Sequence, residues 1–179
     1  RPRMVFRMPF QECNSVDVYS DTDWAGCLRT RKSTSGGCVV LGSHVTKAWS
    51  ATQASLALSS GEAEYYGIVK ASSVGLGMKA MLADLGLNKK LRVLTDSSAA
   101  RGIASRRGLG KVRHIEVNQL WIQDKVVQGE IELIKVPGNA NIADALTKAV
   151  ESGDLQWHME QTATARIEGR HELMPQVSS

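Results

Sequence analysis

Four carboxylates in the sequence stand where metal or acid–base chemistry could be done: Asp21, Glu64, Asp96 and Asp144. Asp21 closes the strand-like run Tyr19-Ser20-Asp21, and Asp96 closes Leu94-Thr95-Asp96. Side by side in parallel, two such strands would deliver both groups to the carboxyl edge of one sheet, where open α/β sheets place their sites. An aspartate after a strand ordinarily starts a turn or caps the next element, so either residue alone carries little weight and the pair carries the signal. Asp23, two residues on and on the same face as Asp21, is its competitor, but it lies past the strand's natural end. Of the glutamates in Ser59-Ser-Gly-Glu-Ala-Glu64, Glu62 has the capping-box spacing from Ser59 and needs no further role. Glu64 has no such local explanation. It falls four residues before Ile68 and seven before Ala71, on the helix stripe that must face the sheet, where a carboxylate needs positive compensation. Asp144, in Asn141-Ile-Ala-Asp144, fits ordinary helix capping as well as a fourth ligand position.

Converging carboxylates repel one another unless divalent cations hold them together. Oxygen-only ligands suit Mg2+, with Mn2+ as the substitute, and two such ions about 4 Å apart favour in-line displacement at phosphorus. Carboxylates without His or Cys therefore point to phosphodiester chemistry. A Ser or Cys nucleophile is the weaker reading, because no His stands in a recognisable arrangement with Ser97 or with any Cys.

The elements that must position these groups follow from periodicity. Ser15–Asp21 alternates as a strand, with Val16 and Val18 on one face, and Gly37–Leu41 and Val45–Ser50 flank a turn as a hairpin. A helical period runs from Ser59 to about Leu85, with a break expected near Gly75 and Gly77. Leu91–Thr95 is a further strand, followed by a helix start at Ser97. A helix over about His114–Gln128 leads into the strand Ile131–Val136, and a last helix is expected over about Asn141–Val150. A meander followed by strand–helix alternation predicts an α/β fold: a mixed five-stranded sheet, three antiparallel strands then two parallel, with helices on both faces.

Composition agrees with one folded domain plus tails. The 179 residues are 42% hydrophobic and 22% charged. No apolar run has the length of a membrane span, and no signal-peptide pattern opens the chain, which starts at Arg1 as an excised piece would. Cys13, Cys27 and Cys38 are odd in number and form no CxxC pair, which argues against a disulfide framework or a zinc site. A net charge of +4 permits nucleic-acid binding without demanding it.

Six blocks in order carry a resemblance: Asp21-Thr-Asp-Trp-Ala-Gly26, Arg31-Lys-Ser-Thr-Ser-Gly36, Ser59-Ser-Gly-Glu-Ala-Glu-Tyr65, Thr95-Asp-Ser97, Arg113-His-Ile-Glu116 and Ala143-Asp-Ala-Leu-Thr-Lys148. Together they resemble the ribonuclease H region of copia-type retrotransposon Pol polyproteins. The resemblance implies a ribonuclease H-like fold and an endoribonuclease that cuts the RNA strand of RNA–DNA hybrids during reverse transcription by a two-metal-ion mechanism. It places the family's four carboxylates on Asp21, Glu64, Asp96 and Asp144. Where cellular ribonucleases H often carry a histidine in the turn before the last helix, this chain has Asn139. The implied partners are the hybrid and the reverse transcriptase domain of the same polyprotein, with no membrane and no small-molecule cofactor. The implied setting is a cytoplasmic virus-like particle or the nucleus.

Residues 1–15 are then read as a connecting segment from an upstream reverse transcriptase, 16–150 as the ribonuclease H domain and 151–179 as a disordered tail. In that tail His158 and His171 are given no role, and Ile167-Glu-Gly-Arg170 is read as a protease-site scar or as chance. Phosphate contacts are read first in the basic stretch with Arg101, Arg106, Arg107, Lys111, Arg113 and His114, for which a solvated loop is the alternative, and second in Arg29, Arg31 and Lys32 close behind Asp21. Trp24 and Trp49 are read as packing residues. The rival readings are a decayed, non-catalytic ribonuclease H-like module that binds nucleic acid, and a metal-dependent nuclease of another specificity.

Overall fold

Val16 and Val18 alternate with Asp17 and Tyr19, and that period of two makes the central strand β2 (Ser15–Asp23) of a five-stranded sheet. The computed structural model describes residues 3–108, 110, 115 and 117–169. β2 pairs antiparallel with β3 (Thr34–Leu41), which pairs antiparallel with β4 (His44–Thr52). On its other side β2 pairs parallel with β5 (Lys90–Thr95), and β5 pairs parallel with β6 (Ile131–Lys135). The order β4-β3-β2-β5-β6 is the mixed sheet expected, with three antiparallel strands followed by two parallel ones. Register between β2 and β5 places Tyr19 opposite Leu94 and Asp17 opposite Arg92. The Arg92 guanidinium grips the Asp17 carboxylate with two hydrogen bonds, Nε to Oδ1 at 2.7 Å and Nη2 to Oδ2. A one-residue slip would break that fork and turn Val16 and Val18 out of the core.

On one face lies the main core, where Val16, Val18, Val39, Leu91 and Val93 of the sheet meet Tyr65 and Ile68 of α1 (Ser60–Asp84). Ala100 and Ile103 of α2 (Ser98–Ala104) and Ile122 of α3 (Trp121–Val127) complete it. A smaller cluster on the other face joins Cys38, Val40 and Ile142 with Tyr19, Leu146 and Trp157.

Several expectations are corrected. α1 is continuous through Gly75 and Gly77. Gly75 serves close approach, since a Cβ there would come within 2.5 Å of Leu91 and 2.9 Å of Val18. Where one helix was expected over about 114–128, a 3-10 turn at Val117–Gln119 precedes α3, and residues 114 and 116 lie outside the described part. No helix forms over 141–150. That stretch holds a 3-10 turn at Asp144–Leu146, following another at Gly138–Ala140. The physical reason is tertiary: the Asn141 side chain donates to the Ser20 carbonyl at 2.9 Å and accepts from Ala143 N–H at 3.2 Å, which holds the chain against β2 in place of a helical path. Of the tail expected to lack order, the described part forms α4 (Ser152–Gln161) and β7 (Thr164–Ile167), and residues 170–179 lie outside the described part. β7 pairs antiparallel with β1 (Arg3–Phe6) in a separate two-stranded ribbon.

Candidate metal centre

β2 and β5 run parallel with Tyr19 opposite Leu94, so Asp21 and Asp96 stand at matched positions two residues further along each strand. Asp21 is buried, and Asp96 follows β5 immediately, before Ser97 caps α2 with its side-chain bond from Ala100 N–H. Glu64 enters from α1, one turn inside its start. Each of Asp21, Glu64 and Asp96 offers a carboxylate oxygen, and these three atoms all lie within 4.8 Å of one another.

The start of α1 explains why Glu64 and not Glu62 is available. Ser59 accepts from Glu62 N–H at 3.2 Å, as the capping-box spacing requires. The Glu62 carboxylate reaches back to Leu58 N–H at 2.9 Å, and it accepts from the Tyr66 hydroxyl at 2.7 Å. Glu62 is thus fully buried and satisfied. Glu64 keeps one carboxylate oxygen, Oε2, buried with no hydrogen-bond partner. Burial, then the neighbouring charges of Asp21 and Asp96, pushes its carboxyl up to about 8 from the ordinary 4.5, against a hydrogen bond from Thr22 N–H that lowers it. Asp21 is raised too, chiefly by burial and further by Asp144 and Asp96, against the lowering bond from Thr147.

Asp144 stands beside this group but outside the trio. It begins the 3-10 turn, and its carboxylate is engaged by the Lys148 ammonium at 2.6 Å. Its charge still raises both Asp21 and Glu64. The hydrogen bond to Asp144 holds the Lys148 ammonium above its usual range. The Thr147 hydroxyl donates to Oδ2 of Asp21. Asp23 has its carboxylate turned toward Gly26, where an added Cβ would overlap it, and it does not join the trio.

The basic residues fall in two places. Arg31 is exposed, and Lys32 half-buried, on the loop after β2, which Cys27 closes by donating its N–H to Lys32 and accepting from Arg31 N–H. Arg107 is exposed and Arg106 half-buried after α2, with the Arg106 guanidinium against Gly110. Arg101 instead leans on β6 through the Leu133 carbonyl at 3.4 Å. Lys111, Arg113 and His114 lie outside the described residues. Trp49 packs on the main core, whereas Trp24 is about half exposed, its indole N–H bonded to the Ala57 carbonyl at 3.1 Å.

Three features escaped sequence reasoning. Thr147 and Lys148 belong to one of the six blocks; the Thr147 contact with Asp21 joins residues 126 apart, whereas the Lys148 pair with Asp144 has the i,i+4 spacing that local pattern could have offered. His158 was set aside with the tail, but it is buried and helps line a cavity of about 340 Å³ together with Asp144, Asn139 and Trp157. Nothing in a polar, aperiodic tail marks that docking.

Sheet order and carboxylate geometry together describe a protein of the ribonuclease H fold, and comparison with solved structures agrees. LC11-RNase H1, isolated from compost, superposes with a TM-score of 0.52 at 18% identity over 75% of this chain and 93% of its own. The same enzyme in complex with an RNA/DNA hybrid gives 0.50 at 17% identity, covering 79% and 99%. The N-terminal RNase H domain of a Mycobacterium tuberculosis protein gives 0.50 at 22% identity, covering 80% and 97%. No family model matches the chain. In sequence it is 31% identical over 134 residues, 74% of its length, to the retrovirus-related Pol polyprotein from transposon TNT 1-94 of Nicotiana tabacum. It is 28% identical over 156 residues to the corresponding polyprotein from transposon RE1 of Arabidopsis thaliana. In sequence the chain is thus similar to transposon Pol polyproteins, and its fold is that of ribonuclease H. It spans about a tenth of the length of these relatives, covering 10% of one and 11% of the other.

Proposed function

We propose that the chain is a ribonuclease H that hydrolyses the RNA strand of RNA–DNA hybrids, with Asp21, Glu64 and Asp96 holding divalent cations and Asp144 completing the acidic set. The observation that carries this reading is the trio of carboxylate oxygens within 4.8 Å, one member of which keeps a buried oxygen unpartnered. Oxygen-only donors fit Mg2+ or Mn2+. Among the described residues Lys148, whose charge acts on Asp21, is already paired with Asp144, so the trio's own charge is left for ions to offset. When bound, two such ions supply an activated water and stabilise charge on the entering and departing oxygens at phosphorus.

The chain's own residues then have separable tasks. Asp21 and Asp96, fixed by the β2–β5 register, set the spacing of the ligand oxygens, and Glu64 closes the third side from α1. Lys148 restrains Asp144 at the rim. Arg31 and Lys32 on one flank and Arg106 and Arg107 on the other offer phosphate contacts that are insensitive to base sequence, joined in this reading by Lys111, Arg113 and His114. The hybrid as substrate draws support from the LC11 enzyme solved with one, and the setting, reverse transcription beside a polymerase domain, from the Pol polyprotein relatives. Among the described residues no helix is long and apolar enough to cross a membrane; a virus-like particle or the nucleus is the setting this reading carries.

The deciding experiment offers RNA–DNA hybrid labelled on either strand, duplex DNA and single strands to wild type and Asp96→Asn, with Mg2+ and with EDTA. Wild type should cut only the RNA of the hybrid, and only with Mg2+. The variant should fall to background while still retarding the hybrid in a gel. Binding without any cleavage by wild type would leave the non-catalytic module as the answer, and cutting of DNA with hybrid RNA spared would point to another nuclease.

A further inference from the structure

The turn that carries Asp144 makes an approach to β3, beside β2, that only a small residue permits. A Cβ added to Gly36 would lie 2.7 Å from Thr147 Cγ2 and 2.9 Å from Leu146 Cβ, and Gly36 is the cross-strand partner of Asp21. The missing side chain on β3 therefore leaves a slot beside Asp21. The Thr147 methyl fills it. A β-branched side chain held by its methyl has little rotational freedom, and the Thr147 hydroxyl is left directed at Asp21 Oδ2. The same hydroxyl lies 3.0 Å from the Asp144 carbonyl. With one proton to give, it favours the carboxylate, because a bond to an ionised acceptor is roughly twice as strong as one to a neutral carbonyl. Asn141 fastens the other end of the turn to the Ser20 carbonyl, so the segment grips two successive residues of β2.

We infer that Thr147 is a positioning residue for Asp21: its hydroxyl fixes the rotation of that carboxylate and ties it to the turn bearing Asp144, so that the acidic groups meet divalent ions in one arrangement. The inference rests on the reading of Asp21 as a metal ligand. Carboxylates that bind metals are themselves held by outer hydrogen bonds, and loss of such a bond typically lowers metal affinity about 10- to 100-fold.

Thr147→Val keeps the methyl and the shape but removes the hydroxyl, and Thr147→Ser keeps the hydroxyl. Mn2+ binding to each free protein is measured by calorimetry, alongside the Mg2+ dependence of hybrid cleavage. Thr147→Val should bind Mn2+ about 10-fold more weakly or worse. Its Mg2+ midpoint for cleavage should rise in parallel, with KM for hybrid at saturating Mg2+ unchanged. Thr147→Ser keeps the donor but not the methyl that directs it, and should lie nearer wild type than Thr147→Val does on both measures. Wild-type Mn2+ affinity in the valine variant overturns the inference, and so does a serine variant as weak as the valine one, which would mean that a retained hydroxyl restores nothing. Should Thr147→Val fail to fold, Gly36→Ala takes its place. It pushes the turn away from Asp21, so it should lose Mn2+ affinity in the same way, and unchanged affinity there is equally fatal. If wild type itself binds no Mn2+ and leaves hybrid intact, the proposed function falls, and this inference with it. If wild type does both, only the role of Thr147 is at stake.

Discussion

Replacing Glu64 with glutamine should stabilise the ion-free protein and, in the same stroke, weaken its hold on divalent ions. In the unfolded chain this carboxyl ionises near 4.5, while burial and the nearby charges of Asp21 and Asp96 delay ionisation in the fold to about 8. Between those values the unfolded chain has released a proton that the folded one retains, so stability falls as pH rises, and the full penalty is present above the upper value. At about 1.36 kcal/mol per pH unit the interval corresponds to a ceiling of about 5 kcal/mol. Glu64 is only partly shielded from solvent, which brings the expectation down to about 2–4 kcal/mol. Glutamine has the same shape and no charge to hold. Urea unfolding followed by tryptophan fluorescence, in EDTA, should show no difference between the proteins below pH 4.5 and a gain of that size for Glu64→Gln above pH 8. With Mg2+ added at the higher pH, wild type should gain stability and the variant should gain much less. A pH-independent difference, or a variant less stable than wild type above pH 8 without ions, would show that Glu64 carries no electrostatic strain.

Two further perturbations test packing around the site. Gly75→Ala forces a methyl into Leu91 and Val18 and should cost about 1–3 kcal/mol in urea unfolding, with the midpoint shifted and the slope unchanged; a neutral result would mean that α1 can lift from the sheet freely. Trp157→Ala removes the tail's contact with the cluster around Val40 and Ile142, and should cost about 1–3 kcal/mol and speed proteolysis beyond Glu151; unchanged stability and proteolysis would mean that α4 does not dock in solution.

Most of the elements could be read before the coordinates because each carries its own period. Val16 and Val18 in β2, and Leu91 and Val93 in β5, alternate cleanly, and Asp21 and Asp96 follow from the same pattern, although β2 runs past its expected end at Asp21 to Asp23. Glu64 could be separated from Glu62 because a cap has fixed local spacing. What escaped depends on partners distant in sequence. Asn141 reads as a helix cap, yet its amide is engaged by Ser20, 121 residues away. Gly75 reads as a helix breaker, yet it is a point of contact with Leu91. α4 shows no apolar period because it docks chiefly through Trp157 and His158, too few residues for a stripe. A single sequence read by periodicity has no access to such pairings.

The inner face of α1 has a consequence for the width of the cleft that the acids share. Ala63, Gly67, Ala71 and Gly75 recur every fourth residue, all buried, and an added methyl at Gly67 would strike Thr22 Oγ1 at 2.7 Å. These near-naked positions act as a gauge block between helix and sheet, and the gauge is set within one turn of Glu64. The span across which the glutamate must meet the two aspartates is therefore decided by residues that are not among the acids. Thickening any rung of that ladder by one carbon should widen the jaw without altering a single carboxylate.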